Sequence, residues 1–163
     1  MPVQKPGRSK QDYQTPPEFL AAVKKLLEID FFDVDLAASV NNSVAGPNYY
    51  SEENSALDEK NSWNIGGGWA WCNPPYGTIK PWVQKALEES KKGARIAMLV
   101  PASVGSNWWR DYVDAMANVL FLNGRLTFKG HTAPYPKDCA LLMYGPVPDN
   151  SGSYSVWNWR SDA

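Results

Sequence analysis

Histidine is almost missing from this chain. His131 is the only one among 163 residues, which excludes a histidine-rich metal centre, and no metal site is expected. Cysteine is scarce as well. Cys72 and Cys139 lie far apart, each inside an apolar run of strand character, so they read as free core thiols in a reducing compartment rather than as a bridge. An excess of one charge is also absent. Lys and Arg number 16 against 17 Asp and Glu, a formal net charge of -1, so the chain carries no global basic signature of nucleic-acid binding. Any contact with phosphates needs locally placed cations. No apolar run approaches membrane-spanning length, and the N-terminal residues have no apolar signal region, so no membrane association is expected. Internal repeats and low-complexity blocks are missing too.

What the chain does have is apolar and aromatic. Hydrophobic residues make up 44% and charged residues 20%, with 8 Trp, the composition of a globular domain with a real core. The length suits one domain. Residues 1–10 carry Lys5, Arg8 and Lys10 and no acid, which reads as a mobile basic tail before a single domain over 11–163. Thr15 is a plausible N-cap, Pro16 and Pro17 suit a first turn, and Glu18 completes a capping box, with Phe19, Leu20, Val23, Leu26 and Leu27 following at helical spacing. Residues 31–39 read as a buried strand ending in small residues, with Asp35 near its carboxyl end. A short strand is expected around Tyr49 and Tyr50, helices over 80–91 and 108–116, strands over 94–100, 119–122 and 139–144, and an added edge strand within 154–159. Strands alternating with helices predict an α/β fold with an open, mostly parallel sheet flanked by helices.

The most informative stretch is 69–77, Trp-Ala-Trp-Cys-Asn-Pro-Pro-Tyr-Gly. Proline cannot donate to a sheet ladder, so the strand must stop near Cys72 or Asn73. Asn73, kept out of the α region by the proline after it, is left at the strand tip. The consecutive prolines set the turn in advance. The side-chain carbonyl of Asn73 and the backbone carbonyl of Pro74 form two acceptors close together, able to bind one NH₂ group. An aromatic or amide NH₂ is a poor nucleophile because its lone pair is delocalised. Two fixed acceptors polarise it and favour a pyramidal nitrogen, while Tyr76 offers a flat ring for stacking. The purely structural reading is a proline-capped strand end with a packed tyrosine.

Asn73-Pro74-Pro75-Tyr76 after a strand resembles the catalytic motif of amino-methyltransferases that use S-adenosyl-L-methionine. The wider arrangement, from about Asp12 to Tyr144, resembles the phage-type DNA adenine N(6)-methyltransferases (Dam-like). The resemblance implies a Rossmann-like methyltransferase core over 11–163 and S-adenosyl-L-methionine as cofactor. It also implies DNA as partner and a home in the cytoplasm of a bacterium or an infected host. The chemistry implied is direct methyl transfer to the 6-amino group of a flipped-out adenine, with Asn73, Pro74, Pro75 and Tyr76 as the catalytic corner. Thr15 and Pro16 then help hold the donor at a helix N-terminus. The segment Asp35-Leu36-Ala37-Ala38 takes the place of the first cofactor motif, with Asp35 contacting the donor and Ala37 and Ala38 allowing close approach. Asn54 and Asp58 are assigned to the adenosine half of the donor, although Ser55 and Ala56 stand where the family often has an acid. No glycine-rich fingerprint is present, so cofactor arguments from glycine do not apply.

Two alternatives of other classes remain. The same four residues occur in enzymes that methylate a glutamine amide in proteins, because that NH₂ is also delocalised. The other is a catalytically inactive module that binds DNA or a partner. For phosphate contacts the candidates are the tail cations Lys5, Arg8 and Lys10, and Arg125 and Lys129. Arg125 equally suits a structural ion pair.

Overall fold

Strand β2, Trp69–Cys72, is buried along its whole length. It runs parallel to β1 (Val34–Asp35) on one side and to β3 (Arg95–Pro101) on the other. The sheet continues through β4 (Asn118–Leu122), β5 (Cys139–Tyr144) and the edge strand β6 (Tyr154–Trp157), in the spatial order β1-β2-β3-β5-β4-β6. This computed structural model describes residues 13–38, 42–145 and 152–161; the expected basic tail lies outside them.

The fold is mixed α/β, and the expectation of a mostly parallel sheet needs one correction. β5 runs antiparallel to both β3 and β4, while β6 is parallel to β4, so among the described strands β5 alone opposes the others. The reason is the connection. A parallel neighbour needs a crossover, usually a helix, whereas the chain between β4 and β5 returns through an irregular loop.

Side chains alternate between the two faces of the sheet, as the pleat requires. Ala70, Cys72, Ile96, Met98 and Val100 pack with Trp82, Val83 and Ala86 of helix α2 (Lys80–Ser90) and Trp109 of α3 (Asn107–Tyr112). Trp69, Trp71, Ala97 and Leu99 pack with Phe19 and Val23 of α1 (Pro17–Leu27), together with Trp157 and Trp159. Apolar cover on both faces is why the central strands read as continuous hydrophobic runs rather than alternating ones. The two cysteines are free and buried, one on each face. Among the described residues no helix is long and apolar enough to cross a membrane.

Three local expectations changed. The strand foreseen over 31–39 contracts to Val34–Asp35, with Phe31 exposed. Its outer side is occupied by residues 48–50: Asp35 N–H donates to Asn48 O (3.0 Å) and Tyr50 N–H to Asp35 O (2.9 Å). The strand expected at Tyr49 and Tyr50 is accordingly a single parallel bridge, Asp35 to Tyr49. Helix α1 is not capped by Thr15. Pro16 occupies the cap position, with no side-chain hydrogen bond there.

Candidate active site

The carboxyl ends of β1 and β2 lie side by side, with Asp35 the last residue of β1 and Asn73 the first after β2, where ligands sit in open α/β sheets. Asn73 is held at both ends of its amide. Its Nδ2 donates to the backbone carbonyl of Tyr13 (2.6 Å) and to Thr15 Oγ1 (3.2 Å), while its Oδ1 accepts from the Tyr76 hydroxyl (2.7 Å). A backbone carbonyl only accepts, so the NH₂ end must face Tyr13. Oδ1 therefore points the other way and keeps acceptor capacity for one more donor. Burial pushes the Tyr76 hydroxyl well above its ordinary value, so it stays protonated and able to donate. Pro74 is buried, and the turn closes through Thr78 N–H to Pro75 O (3.2 Å).

Thr15 thus works across the molecule instead of capping its own helix. The residue is 7% exposed, and its hydroxyl serves the amide of a residue far away in sequence. A local rule favoured the cap; the long-range partner won because Pro16 already sets the extended backbone at the helix start.

Two cavities flank Asn73. The larger, about 160 Å³, is lined by Leu36, Ala37 and Ala38, by Asn73, Pro75, Thr78 and Trp82, and by Ser51, Glu52, Ser55 and Leu57. The smaller, about 30 Å³, lies among Tyr13, Gln14, Thr15, Asp35, Asn42, Val44 and Trp71. Both include Ala37 and Asn73 in their lining, so they meet at that pair. Thr15, Asp35, Ala37, Ala38 and Asn73 are therefore brought together, whereas Pro16 lines neither cavity.

Asp35 is 3% exposed, and its carboxylate accepts from the N–H groups of Ala37 (3.1 Å) and Val44 (3.0 Å). Burial pushes its pKa up to about 6, and the two amide bonds pull against that rise. The acid thereby fixes the Ala37–Ala38 wall as well as lining the smaller cavity. Burial, reinforced by the nearby Asp35, also raises the Cys72 thiol well above its usual value, which leaves it neutral and unsuited to nucleophilic work.

Asn54 and Asp58 are not in either cavity. Asn54 Oδ1 accepts from Asn61 Nδ2 (3.1 Å), and Asp58 Oδ1 accepts from Lys60 N–H (3.0 Å). Their neighbours Glu52 and Ser55 face the larger cavity instead. The loop path is set from outside. Lys85, buried on α2, donates to the carbonyls of Ala56 (2.7 Å), Asp58 (2.8 Å) and Asn61 (2.7 Å). Its ammonium also lies 5.5 Å from the Trp63 ring. Glu89 accepts from Trp63 N–H (2.6 Å) in the same region.

One group escaped the sequence reading altogether. Tyr76, Phe128, His131 and Tyr135 gather around Tyr13, with ring centroids 5.1 to 5.8 Å from its own. The only signal in the sequence was the density of rings between Phe128 and Tyr135.

The chain matches the model of the family described as DNA N-6-adenine-methyltransferase (Dam) over residues 3–146. It is 31% identical over 96 residues to the DNA N-6-adenine-methyltransferase of Escherichia phage T1, a stretch covering 59% of this chain and 39% of that protein. The aligned part thus spans about two fifths of that relative's length. With a strand-end Asn-Pro-Pro-Tyr corner opening onto paired cavities and a family match over most of its length, this chain belongs to the DNA N-6-adenine-methyltransferase (Dam) family.

Proposed function

We propose that this chain methylates the exocyclic 6-amino group of adenine in DNA, at the corner Asn73-Pro74-Pro75-Tyr76, with S-adenosyl-L-methionine as methyl donor. The observation that carries the proposal is the position of Asn73 at the junction of the two cavities, with Oδ1 turned away from the backbone carbonyl of Tyr13 and able to accept one more hydrogen bond. A Rossmann-like core is the fold reading that goes with it, supported by a site at the carboxyl ends of parallel strands.

The residues present fit the donor. Trp82 and Leu57 are apolar walls suited to a flat base, Glu52, Ser51 and Ser55 are polar groups suited to hydroxyls, and the small Ala37 and Ala38 admit close approach. Thr15, Asp35 and Asn42 make the smaller cavity polar, as a charged amino-acid moiety requires. Asn54 and Asp58, first assigned to the adenosine half, contribute through the loop that carries Ser55 and Leu57. When bound, the donor supplies a methyl group on a positively charged sulfur.

The chain's own work is positioning and polarisation. Asn73 Oδ1, together with the carbonyl of Pro74, accepts from the target NH₂ and localises its lone pair. The amide cannot rotate without losing its bonds to Tyr13 and Thr15, so the acceptor is set beforehand. Tyr76 offers its ring to the base, and no covalent intermediate with Cys72 is needed. DNA is the partner, through phosphate contacts and an extruded base. The reading includes a single methyltransferase domain in a cytoplasmic setting.

The test is incubation with isotope-labelled donor and unmethylated DNA, followed by nucleoside analysis. Label in N6-methyladenine is the expected result. Label in protein glutamine, or donor binding without transfer, would replace this reading with one of the alternatives.

A further inference from the structure

The ring of Tyr13 is held between two others. It stacks on Tyr76 at 5.5 Å between centroids and 16° between planes, and on His131 at 5.8 Å and 20°. Phe128 and Tyr135 close the sides at 5.1 Å and 5.4 Å, tilted and edge-on. Four aromatic groups therefore enclose one flat ring. The backbone of the same residue is tied as well: Tyr13 O accepts from Asn73 Nδ2, and the next residue, Gln14, bridges to Lys129 of the β4–β5 loop. The loop that supplies Phe128, His131 and Tyr135 is thus fastened to the segment that supplies Tyr13.

We infer that Tyr13 is a gate: its side chain occupies the slot of the target base against Tyr76, and the ring must leave for adenine to stack there. The inference rests on the function proposed above. The argument is one of matched shape. Tyr76 is both the stacking platform and the donor to Asn73 Oδ1, so a base whose NH₂ reaches that oxygen must lie near the Tyr76 ring, where Tyr13 now lies. Base and tyrosine are alternative occupants of one face. Only the side chain needs to turn about χ1, because the bond that orients Asn73 uses the Tyr13 carbonyl. Tyr13 in place keeps the slot dry and its rings packed, and competes with bases offered to it. The gate favours a base that can both stack and hydrogen-bond to Asn73. His131, on the far side of Tyr13, becomes a second wall facing the base once the tyrosine has turned out.

Steady-state transfer from labelled donor to unmethylated DNA tests the gate. In Tyr13→Ala the KM for DNA should fall roughly threefold to tenfold, the scale of one lost aromatic stack. Tyr13→Phe, which keeps the ring, should restore the wild-type KM. His131→Ala should raise KM, and His131→Phe should bring it back. A second readout does not depend on turnover. In chain labelled with 3-fluorotyrosine, the Tyr13 resonance, identified by its loss in Tyr13→Phe, should shift when saturating DNA is added. A KM that rises in Tyr13→Ala, or a Tyr13 resonance that stays put on DNA that the enzyme methylates, overturns the gate and leaves the enzyme. No transfer to DNA by the unaltered chain overturns both.

Discussion

Asn73 Nδ2 and the carbonyl oxygen of Tyr13 stand 2.6 Å apart, the hydrogen bond that joins the Asn-Pro-Pro-Tyr corner to the segment before α1. It decides which end of the Asn73 amide faces outward, and so whether the corner can accept a hydrogen bond at all. Asn73→Ala should lower methyl transfer on the order of 10²-fold or more, the usual loss for one preorganised contact, while most donor affinity remains. Transfer assays alongside calorimetric titration of the donor check both halves. Transfer near the wild-type rate would remove this corner from the chemistry.

Thr15→Val keeps the shape of the side chain and removes the hydroxyl 3.2 Å from Asn73 Nδ2. Since the bond to Tyr13 persists, the variant should lose only about 1 kcal/mol in urea unfolding. Its transfer rate should fall more than its stability suggests, because the amide gains freedom to tilt. Parallel measurement of unfolding and kcat separates the two effects.

Asp35 gives a pH dependence with a definite sign. Its pKa rises from 3.8 to about 6 on folding, so between those values the folded chain holds a proton that the unfolded chain releases. Its contribution to stability must therefore fall as pH rises from about 4 to about 6, and the full penalty, on the order of 3 kcal/mol, applies above that window. The difference in unfolding free energy between wild type and Asp35→Asn should carry this slope. The carboxylate also holds the amides of Ala37 and Val44. Asp35→Ala should consequently weaken donor binding more than DNA binding, and unchanged donor affinity in a folded variant would take Asp35 out of the site.

Lys85→Met should loosen a cavity wall it does not touch. Losing three carbonyl partners on the 56–61 loop should cost about 3 kcal/mol, read from urea unfolding. Donor affinity should fall with it, because Ser55 and Leu57 ride on that loop. Full donor affinity in the folded variant would mean the wall is held by other contacts.

DNA contact separates the basic tail from the loop cations. Deleting residues 1–10 should reduce the log–log salt dependence of DNA binding by up to ~3 units if Lys5, Arg8 and Lys10 all touch phosphates. Donor affinity should hold, since Thr15 and Asp35 remain. An unchanged slope moves the contacts to Lys129 and to Arg125. The guanidinium of Arg125 pairs with Asp138 at 3.0 Å, but both groups are largely exposed, so the pair is weak and a phosphate can compete for it.

Short-range physics was enough for much of this protein. Two prolines end a strand wherever it lies, so the Asn73 corner, the helix after it and the strand Cys139–Tyr144 were legible from the residues alone. The direction of β5 was not, because a strand's own pattern of side chains is the same whichever way its neighbours run, and only the loop returning from β4 decides. Thr15 looked like a cap because capping is a local rule. It became a partner of Asn73 through a contact with no local trace. Glu52 and Ser55 reached the cavity in place of Asn54 and Asp58 because Lys85, on a later helix, pins the loop between them. Tyr13, Tyr76 and His131 form one stack from three distant parts of the chain. Each residue type was visible in the sequence, but their parallel stacking exists only once the sheet has brought the strand ends together, since stacking depends on positions in space and not on spacing along the backbone.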